Sequence, residues 1–207
     1  MTVRSPWRQQ LYQNLANISL SGEVIDLGGS RKSKYLSDFI GEFNLTVANL
    51  EGEGTQDIFV DLEKPFLLKD CAYDHVLCIN VLEHIFNYQN VIDESYRILK
   101  RGGSAVFAVP FLIQVHPSPN DHWRFTKQTL ERLFAEAGFS EVEVEAIGTG
   151  VFGSIAQIKS NILHFPILRK MENFVAKTLD QIVSKLLKNS TYNKEFYPLG
   201  YVIKVRK

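Results

Sequence analysis

Residues 23–33 constrain the fold more than any other stretch, because a short apolar run ends there in two glycines. The β-branched run indicates a strand, Gly28 and Gly29 indicate a tight turn, and a polar turn with a short helical pattern follows. In open α/β sheets, a strand that ends in glycines and leads into a helix brings backbone amides close to a ligand. The pattern favours a ligand crevice with the Asp26 carboxylate at its rim, although paired glycines also mark ordinary turns.

Strand and helix patterns alternate along the next part of the chain. Strands are predicted at residues 23–27, 44–50, 57–62, 73–80 and 104–110, and helices at residues 7–16, 90–100 and 126–137. Alternating strands and helices with short connections predict a doubly wound α/β sheet.

The end of the chain departs from this alternation. Residues 141–146 and 201–206 alternate strictly between two kinds of side chain, which is typical of half-buried strands. If the two strands pair antiparallel, the glutamates of the first can face Lys204 and Arg206 of the second. Their connection of about fifty residues is far too long for a plain loop, so we predict a helical insertion between the last two strands.

The insertion shows helical periodicity from residue 155 to residue 188, with a break at residues 164–166. Its apolar side chains recur on one helical face, which comprises Met171, Phe174, Val175, Leu179, Ile182 and Leu186. Lysines and arginines outnumber the acidic residues in this stretch. We expect the insertion to pack on the core as a lid; a homodimer contact and a peripheral contact with an anionic membrane are the alternatives.

Length and composition limit the class of protein. A chain of 207 residues with 45% hydrophobic and 22% charged residues suits one domain of soluble type. We divide it into an N-terminal helix (1–20), a cofactor-binding core (21–147), the insertion (148–195) and a last strand (196–207). The zero net charge gives no global attraction to nucleic acid. No signal-peptide pattern and no apolar run of roughly 20 residues is seen, so a cytoplasmic location is expected.

Residues 74–103 carry a pattern that points to a family. The fourth strand leads into Glu83 and His84, a helix follows, and Gly102 and Gly103 precede the fifth strand. This resembles the signature of the type 11 group of class I S-adenosylmethionine-dependent methyltransferases. Residues 116–126 resemble a segment that follows strand five in a bacterial subset of that group. The resemblance implies a seven-stranded sheet, mostly parallel with the last strand antiparallel, and S-adenosyl-L-methionine as cofactor.

The resemblance places cofactor contacts at the ends of four strands. In the family, the glycine turn and the acidic residue before it, here Asp26, contact the methionine end of the cofactor. The end of strand two contacts the ribose, and the end of strand three contacts the adenine. The end of strand four lies beside the methionine portion. The implied residues are Asp26, Gly28, Gly29, Ser30, Asn49, Leu50, Asp61, Leu62, Asn80 and Val81.

Two features depart from the family pattern. Asn49 stands where the family has an acidic residue, with Glu51 two residues on, and an amide lacks the charge-assisted hydrogen bonds of a carboxylate. Ser30 and Lys32 occupy the later glycine positions of the loop. A non-catalytic binding or scaffold protein is therefore the alternative function. A nicotinamide oxidoreductase shares the glycine turn, but the chain lacks the G-x-G-x-x-G pattern of that class.

The loop after strand five supplies the candidate catalytic residues His116, Asp121 and His122, at the sheet edge where such folds bind ligands. A hydroxyl nucleophile benefits from a base, and His116 is the preferred one; alternatively, Asp121 pairs with Arg124 to hold the loop. Zinc binding by the three candidates has no cysteine support, so no metal is predicted. The expected reaction is methylation, at oxygen, of a small-molecule, glycan or lipid-linked acceptor, without a nucleic-acid partner.

Overall fold

The computed structural model describes residues 4–50, 57–160, 162, 165–187 and 191–207. The helices are α1 (Pro6–Leu15), α2 (Tyr88–Ile98), α3 (Lys127–Glu136), α4 (Val151–Lys159) and α5 (Pro166–Leu186). The strands are β1 (Gly22–Leu27), β2 (Phe43–Asn49), β3 (Ile58–Phe59), β4 (Tyr73–Ile79), β5 (Leu99–Pro110), β6 (Glu141–Ile147) and β7 (Gly200–Arg206).

These strands form one seven-stranded sheet in the order β3-β2-β1-β4-β5-β7-β6. The pairs from β3 to β5 are parallel, whereas β7 runs antiparallel to both β5 and β6. This confirms the predicted doubly wound, mostly parallel sheet with its last strand reversed. The strand order changes direction between β1 and β4, and open α/β sheets bind ligands at the carboxyl ends of the strands at such a point.

Each face of the sheet has its own apolar core. Along β4, Val76 and Cys78 pack in the cluster that contains residues of α2 and α3, whereas Leu77 and Ile79 pack in the cluster that contains residues of α1. A parallel strand covered on both faces is apolar at successive positions. That requirement is why a continuous apolar run predicted β4 correctly.

The pairing of β6 with β7 confirms the predicted antiparallel pair. Glu141 lies opposite Arg206 and Glu143 opposite Lys204, and Lys204 Nζ is 3.7 Å from Glu143 Oε1. Exposed ion pairs of this kind contribute about 0–1 kcal/mol. Val144 and Ala146 of β6 and the apolar residues of β7 are buried in the sheet, and they therefore contribute most to this pairing.

The insertion between β6 and β7 consists of α4 and α5, and α5 exposes its apolar face. Phe174 is 72% exposed and Leu186 is 75% exposed, whereas Ala176 and Asp180, on the opposite side of the helix, are buried. The periodicity correctly predicted which residues share a face. The expectation that this face packs on the core as a lid is wrong.

Asp180 explains why the polar side of α5 faces the protein. Its carboxylate accepts hydrogen bonds from the backbone N–H groups of Phe152 (3.0 Å) and Gly153 (2.8 Å) and from Thr149 Oγ1 (2.7 Å). The first N–H groups of a helix have no partner within the helix, and a negative charge there is favourable. A polar cap on the first turn of α4 thus attaches α5 to the domain.

Within the described ranges, none of the helices has both the length and the apolar character needed to cross a membrane.

Candidate active site

Gly28 and Gly29 form a turn at the carboxyl end of β1 that leaves no room for side chains. Gly28 has a φ of 73°, which favours glycine, and a Cβ there would lie 2.6 Å from Cγ1 of Val81. A Cβ on Gly29 would lie 1.9 Å from Oδ2 of Asp26. The end of β1 therefore lies against the residues that follow β4, which brings two predicted cofactor segments together.

Asp26 lies beneath this turn, so the expectation of a carboxylate at the rim of the crevice is wrong. Its side chain is buried, Oδ2 accepts a hydrogen bond from the Tyr35 hydroxyl at 2.7 Å, and Oδ1 has no partner among the described residues. Burial raises the pKa of Asp26 to about 7. Successive side chains of a strand point to opposite faces, and this one is directed into the interior.

Asn49 at the end of β2 holds the same turn in place. Its Nδ2 donates to the carbonyl oxygens of Gly28 (3.3 Å) and Gly29 (3.0 Å), and its Oδ1 accepts from the backbone N–H of Leu50 at 2.8 Å. The amide that replaces the family's acidic residue thus ties β2 to the glycine turn. Glu51, the nearby acid in the sequence, lies outside the described residues.

Asn80 follows β4 directly and contacts the N-terminal helix. It has a φ of 55°, and its Oδ1 accepts a hydrogen bond from Trp7 Nε1 at 3.1 Å. The left-handed conformation turns the chain sharply at the sheet edge. The predicted residues at the ends of β1, β2 and β4 are therefore neighbours, and α1 contacts them from the side.

Asp61 and Leu62 follow the short strand β3 and lie in a turn, not at the end of a strand as predicted. The Asp61 carboxylate accepts from the backbone N–H of Glu63 at 3.1 Å and pairs with Lys64 Nζ at 2.8 Å. The hydrogen bond from Lys64 lowers the pKa of Asp61. The carboxylate thus already stabilises a turn, and adenine binding by this pair remains a prediction.

The remainder of the glycine loop is held by its own polar groups. The backbone N–H of Ser30 donates to Ser33 Oγ at 3.2 Å, and Lys32 is exposed. Arg31 donates to both carboxylate oxygens of Asp57, at 2.9 and 2.6 Å. Lys32, which stands where the family has a glycine, therefore points to solvent. The two hydrogen bonds from Arg31 to Asp57 hold the loop against the residue that precedes β3.

His116 lies in the loop after β5 with one ring nitrogen already engaged. Its Nδ1 is 3.1 Å from the carbonyl oxygen of Gln114 and 3.4 Å from Oδ2 of Asp121. Since a carbonyl oxygen only accepts hydrogen bonds, the ring hydrogen belongs on Nδ1 and the lone pair on Nε2. Nε2 lies 3.9 Å from Oε1 of Glu83.

Asp121 and His122 have different surroundings from His116. Arg124 donates to both oxygens of Asp121, at 2.5 and 2.7 Å, and these bonds lower the pKa of that carboxyl. The ring of His122 contacts the ring of Phe86, with centroids 5.4 Å apart. The structure thus places Asp121 beside His116 in a loop-holding pair with Arg124, and His122 in a separate aromatic contact.

Glu83 completes a cluster with His84 and His116 that sequence reasoning did not assemble. Its side chain is 0% exposed, and neither oxygen has a hydrogen-bond partner among the described residues. Burial raises the pKa of Glu83 to about 8. His84 Nε2 is 3.7 Å from Glu83 Oε1, and His84 Nδ1 is 2.5 Å from the carbonyl oxygen of Asn120. Two histidine nitrogens and an orphaned carboxylate therefore converge at the carboxyl edge of β4.

Comparison with known proteins decides the family. A family model described as a methyltransferase domain matches residues 3–144. This range includes β1 to β5, the glycine turn and the cluster of Glu83, His84 and His116. The chain belongs to the methyltransferase domain family. A curated relative, an uncharacterised protein of Methanocaldococcus jannaschii, is 50% identical over 48 residues, which make up 23% of this chain and 20% of that protein.

Solved methyltransferases have the same fold. Phosphoethanolamine N-methyltransferase 2 of Haemonchus contortus, in complex with S-adenosyl-L-methionine, matches with a TM-score of 0.59 at 16% identity, over 97% of this chain and 52% of that one. A possible histamine N-methyltransferase of Thermotoga maritima matches with a TM-score of 0.59 at 14% identity, over 96% and 89%. The chain thus spans about half of the Haemonchus enzyme. These likenesses confirm the methyltransferase fold.

The residues at the glycine turn fit a cofactor with an amino acid end. The backbone of the turn is partly exposed at Gly28 and Ser30, and the buried Oδ1 of Asp26 lacks a donor that an ammonium group can supply. Asn49 keeps the turn in its place. The turn could be predicted from the sequence, whereas its support by Asn49 and the buried position of Asp26 could not.

A cavity of about 340 Å³ lies beside the loop that follows β5. It is lined by residues 111–114, which precede His116, and by Gln157 and Ile158 of α4. The insertion therefore contributes directly to the space next to the candidate base.

Proposed function

We propose that this chain binds S-adenosylmethionine at the carboxyl ends of β1, β2 and β4 and methylates an oxygen atom of a small-molecule, glycan or lipid-linked acceptor. The observation that carries the proposal is the turn at Gly28 and Gly29, packed against Val81 at the switch point of a methyltransferase sheet. The bound S-adenosylmethionine of the Haemonchus structure supports the choice of cofactor. When bound, the cofactor supplies an electrophilic methyl group on a sulfonium.

The chain's own residues account for binding and orientation. The turn offers backbone that is partly exposed at Gly28 and Ser30, and Oδ1 of Asp26 can accept a hydrogen bond from an ammonium group. Val81 supplies apolar surface against the turn. Holding two reactants in near-attack geometry accounts for a large part of the rate of a displacement. Because Asn49 holds the glycine turn in a fixed position, it contributes to this orientation of the cofactor.

His116 is the proposed base for the acceptor hydroxyl. Its Nδ1–H is held by the Gln114 carbonyl, which leaves the Nε2 lone pair free to take a proton. The Asp121 carboxylate lies 3.4 Å from Nδ1 and places a negative charge beside the ring. Asp121 is itself kept ionised by Arg124. This gives Asp121 a positioning role and gives His122 no part in proton transfer.

The orphaned carboxylate of Glu83 favours a second chemistry for the same cluster. Two histidines and one carboxylate are a ligand set of catalytic zinc sites, and the ligand atoms of Glu83, His84 and His116 lie within 4.8 Å of one another. Both histidines have Nδ1 next to a backbone carbonyl, as metal-bound histidines do. A bound divalent cation, in place of a free base, would then lower the pKa of the acceptor hydroxyl.

Calorimetric titration with S-adenosylhomocysteine tests the cofactor proposal. We expect micromolar binding by the wild type and its loss in Gly29→Ala, whose Cβ collides with Asp26. Gly102→Asn is the control, because no atom lies within 4 Å of its Cβ and asparagine tolerates the positive φ of 77° at that position. Absence of both heat and thermal shift with the wild type would favour the non-catalytic alternative.

An acceptor screen then separates the two chemistries of the cluster. If His116 is the base, His116→Ala reduces turnover by about 10²–10⁴-fold with nearly unchanged affinity for S-adenosylhomocysteine, and a chelator has no effect. Under the metal alternative, a chelator abolishes turnover, and titration with Co²⁺ produces a visible absorption band that Glu83→Gln weakens.

A further inference from the structure

We propose that the exposed apolar face of α5 lies on the surface of an anionic membrane, with a lipid phosphate bound in the groove between α5 and α1. The proposal concerns a surface and a groove that lie apart from the glycine turn and the histidine cluster. It commits to one occupant, a bilayer that contains anionic phospholipid.

The apolar face is too large to be ordinary surface. Along α5 it includes Ile167, Leu168, Met171, Phe174, Val175, Leu179, Ile182 and Leu186, all of them exposed. Exposed Ile155 and Ile158 of α4, together with Ile162 and Phe165 in the connection, add further apolar surface to the insertion. Contiguous apolar patches above a few hundred Å² on a folded domain mark contact sites for proteins or membranes.

The charges of α5 are arranged for a negative partner. Its only two acidic residues are already bound: Asp180 is buried against the first turn of α4, and Glu172 pairs with Lys159 at 3.4 Å. Lys170, Lys177 and Lys185 are exposed and have no ion pair within the described ranges. At 100° per residue they lie along one flank of the apolar face.

A cationic groove lies next to this flank. Its volume is about 700 Å³, and it lies between α1 and the insertion. Arg4, Lys170 and Lys177 line it together with the amide side chains of Gln9 and Gln10, and none of the described residues that line it carries a carboxylate. Three cations with amide donors nearby match the charge and hydrogen-bonding needs of a phosphate monoanion.

A bilayer fits these observations better than a second copy of the chain. In a dimer through α5, the lysine flank would find no free carboxylate on the partner helix, because both acids of α5 are bound within their own chain. A helix with phenylalanine, leucine and isoleucine on one face and lysines at its edge lies in the interface of a membrane. Anionic headgroups attract such lysines by about fivefold in affinity for each charge near the surface.

The membrane contact also bears on the acceptor. Ile158 belongs to the exposed apolar surface of α4 and also lines the cavity beside the loop that follows β5. A bilayer against the insertion would therefore bring lipid headgroups near His116. This step rests on the proposed function, and it narrows the acceptor class to molecules carried on a lipid.

Vesicle sedimentation with the full chain tests the proposal. We expect binding to vesicles of phosphatidylcholine mixed with phosphatidylglycerol, weak binding to phosphatidylcholine alone, and release by salt. The double variant Phe174→Glu with Ile182→Glu removes the apolar contact, and Lys170→Glu with Lys177→Glu reduces affinity at least about 25-fold. Leu67→Glu with Lys69→Glu is the matched control, because both residues are exposed outside the insertion, and it should bind like the wild type.

Sedimentation equilibrium and circular dichroism complete the test. Each variant must keep the wild-type spectrum, and vesicle binding does not depend on whether S-adenosylhomocysteine binds, so failure of one proposal leaves the other measurable. Absence of binding to the anionic vesicles by the wild type would overturn the membrane proposal. A dimer that Phe174→Glu with Ile182→Glu dissociates would assign the face to a second copy instead. Equal vesicle binding by all variants would place the contact elsewhere on the chain and would also overturn it.

Discussion

Helices α2 and α5 are both amphipathic, yet their apolar faces have opposite environments. In α2, Val91, Ile92 and Ile98 are fully buried against the sheet, whereas in α5 the apolar residues face solvent. α2 crosses over between the parallel strands β4 and β5, and such a connection must pass over the sheet face. α5 has no such requirement, and its polar side is bound to α4 through Asp180. Helical periodicity predicts which residues share a face, but not whether anything covers it.

The sharpest test of this contrast truncates one isoleucine in each helix. Ile92→Ala should lower the free energy of unfolding by about 2–5 kcal/mol, because it leaves a cavity in the core. Ile182→Ala should change it by less than about 0.5 kcal/mol, because its side chain is exposed. Urea denaturation followed by circular dichroism measures both. A comparable loss for Ile182→Ala would mean that the α5 face is covered in solution.

Removing the polar attachment of α5 should have the next largest effect. Asp180→Ala leaves the N–H groups of Phe152 and Gly153 without partners and should cost about 1–3 kcal/mol. Limited proteolysis should then cut the insertion earlier than in the wild type. Glu172→Ala, which removes only a surface ion pair with Lys159, is the control and should leave the digestion pattern unchanged. Equal protease resistance of Asp180→Ala and the wild type would show that other contacts hold α5.

Each helix is also associated with a buried carboxylate, and the two carboxylates differ in their hydrogen bonding. Asp180 has three donors, whereas Glu83, just before α2, has none among the described residues. Burial raises the pKa of Glu83 from 4.5 to about 8, so between those pH values the folded state keeps a proton that the unfolded chain has released. Stability should therefore be full at low pH and fall as pH rises through this window, by at most about 1.4 kcal/mol per pH unit for one proton.

Urea titrations at a series of pH values measure this dependence. Glu83→Gln should make the decline less steep, and the part that remains reflects Asp26, whose pKa of about 7 is raised in the same way. If Glu83→Gln leaves the slope unchanged, Glu83 is ionised in the folded protein, as it would be with a bound cation.

The smallest expected effect concerns the last two strands. Glu143→Ala and Lys204→Ala should each change the free energy of unfolding by less than about 1 kcal/mol, because their ion pair is exposed. Val144→Ala, at a buried neighbouring position, should cost more and serves as the comparison. Loss of pairing in Lys204→Ala, seen as a changed circular dichroism spectrum, would mean that charge decides the register.

The site was predictable where a local backbone constraint has a residue signature. Gly28 and Gly29 are the residue signature of a tight turn after β1. The alternation of strands and helices predicts in addition that the carboxyl ends of the parallel strands meet at one edge of the sheet. Asp61 shows the limit of such inference, because its carboxylate holds a turn with Lys64. Glu83 was missed because a single acid after an apolar strand has no periodicity, and only the folding of the loop at 116–124 brings His116 beside it.

By itself, the sequence determined the sheet, the reversed last strand, the helical insertion and the family, because these depend on periodicities and turn residues that act over a few positions. Only the tertiary structure decided that Asp26 is buried, that Glu83 lies between two histidines, and that α5 presents its apolar side outward. Each of these depends on a contact between segments distant in the chain. For α5 the deciding contact is the Asp180 carboxylate, which satisfies free N–H groups of α4 and turns the polar side of the helix inward.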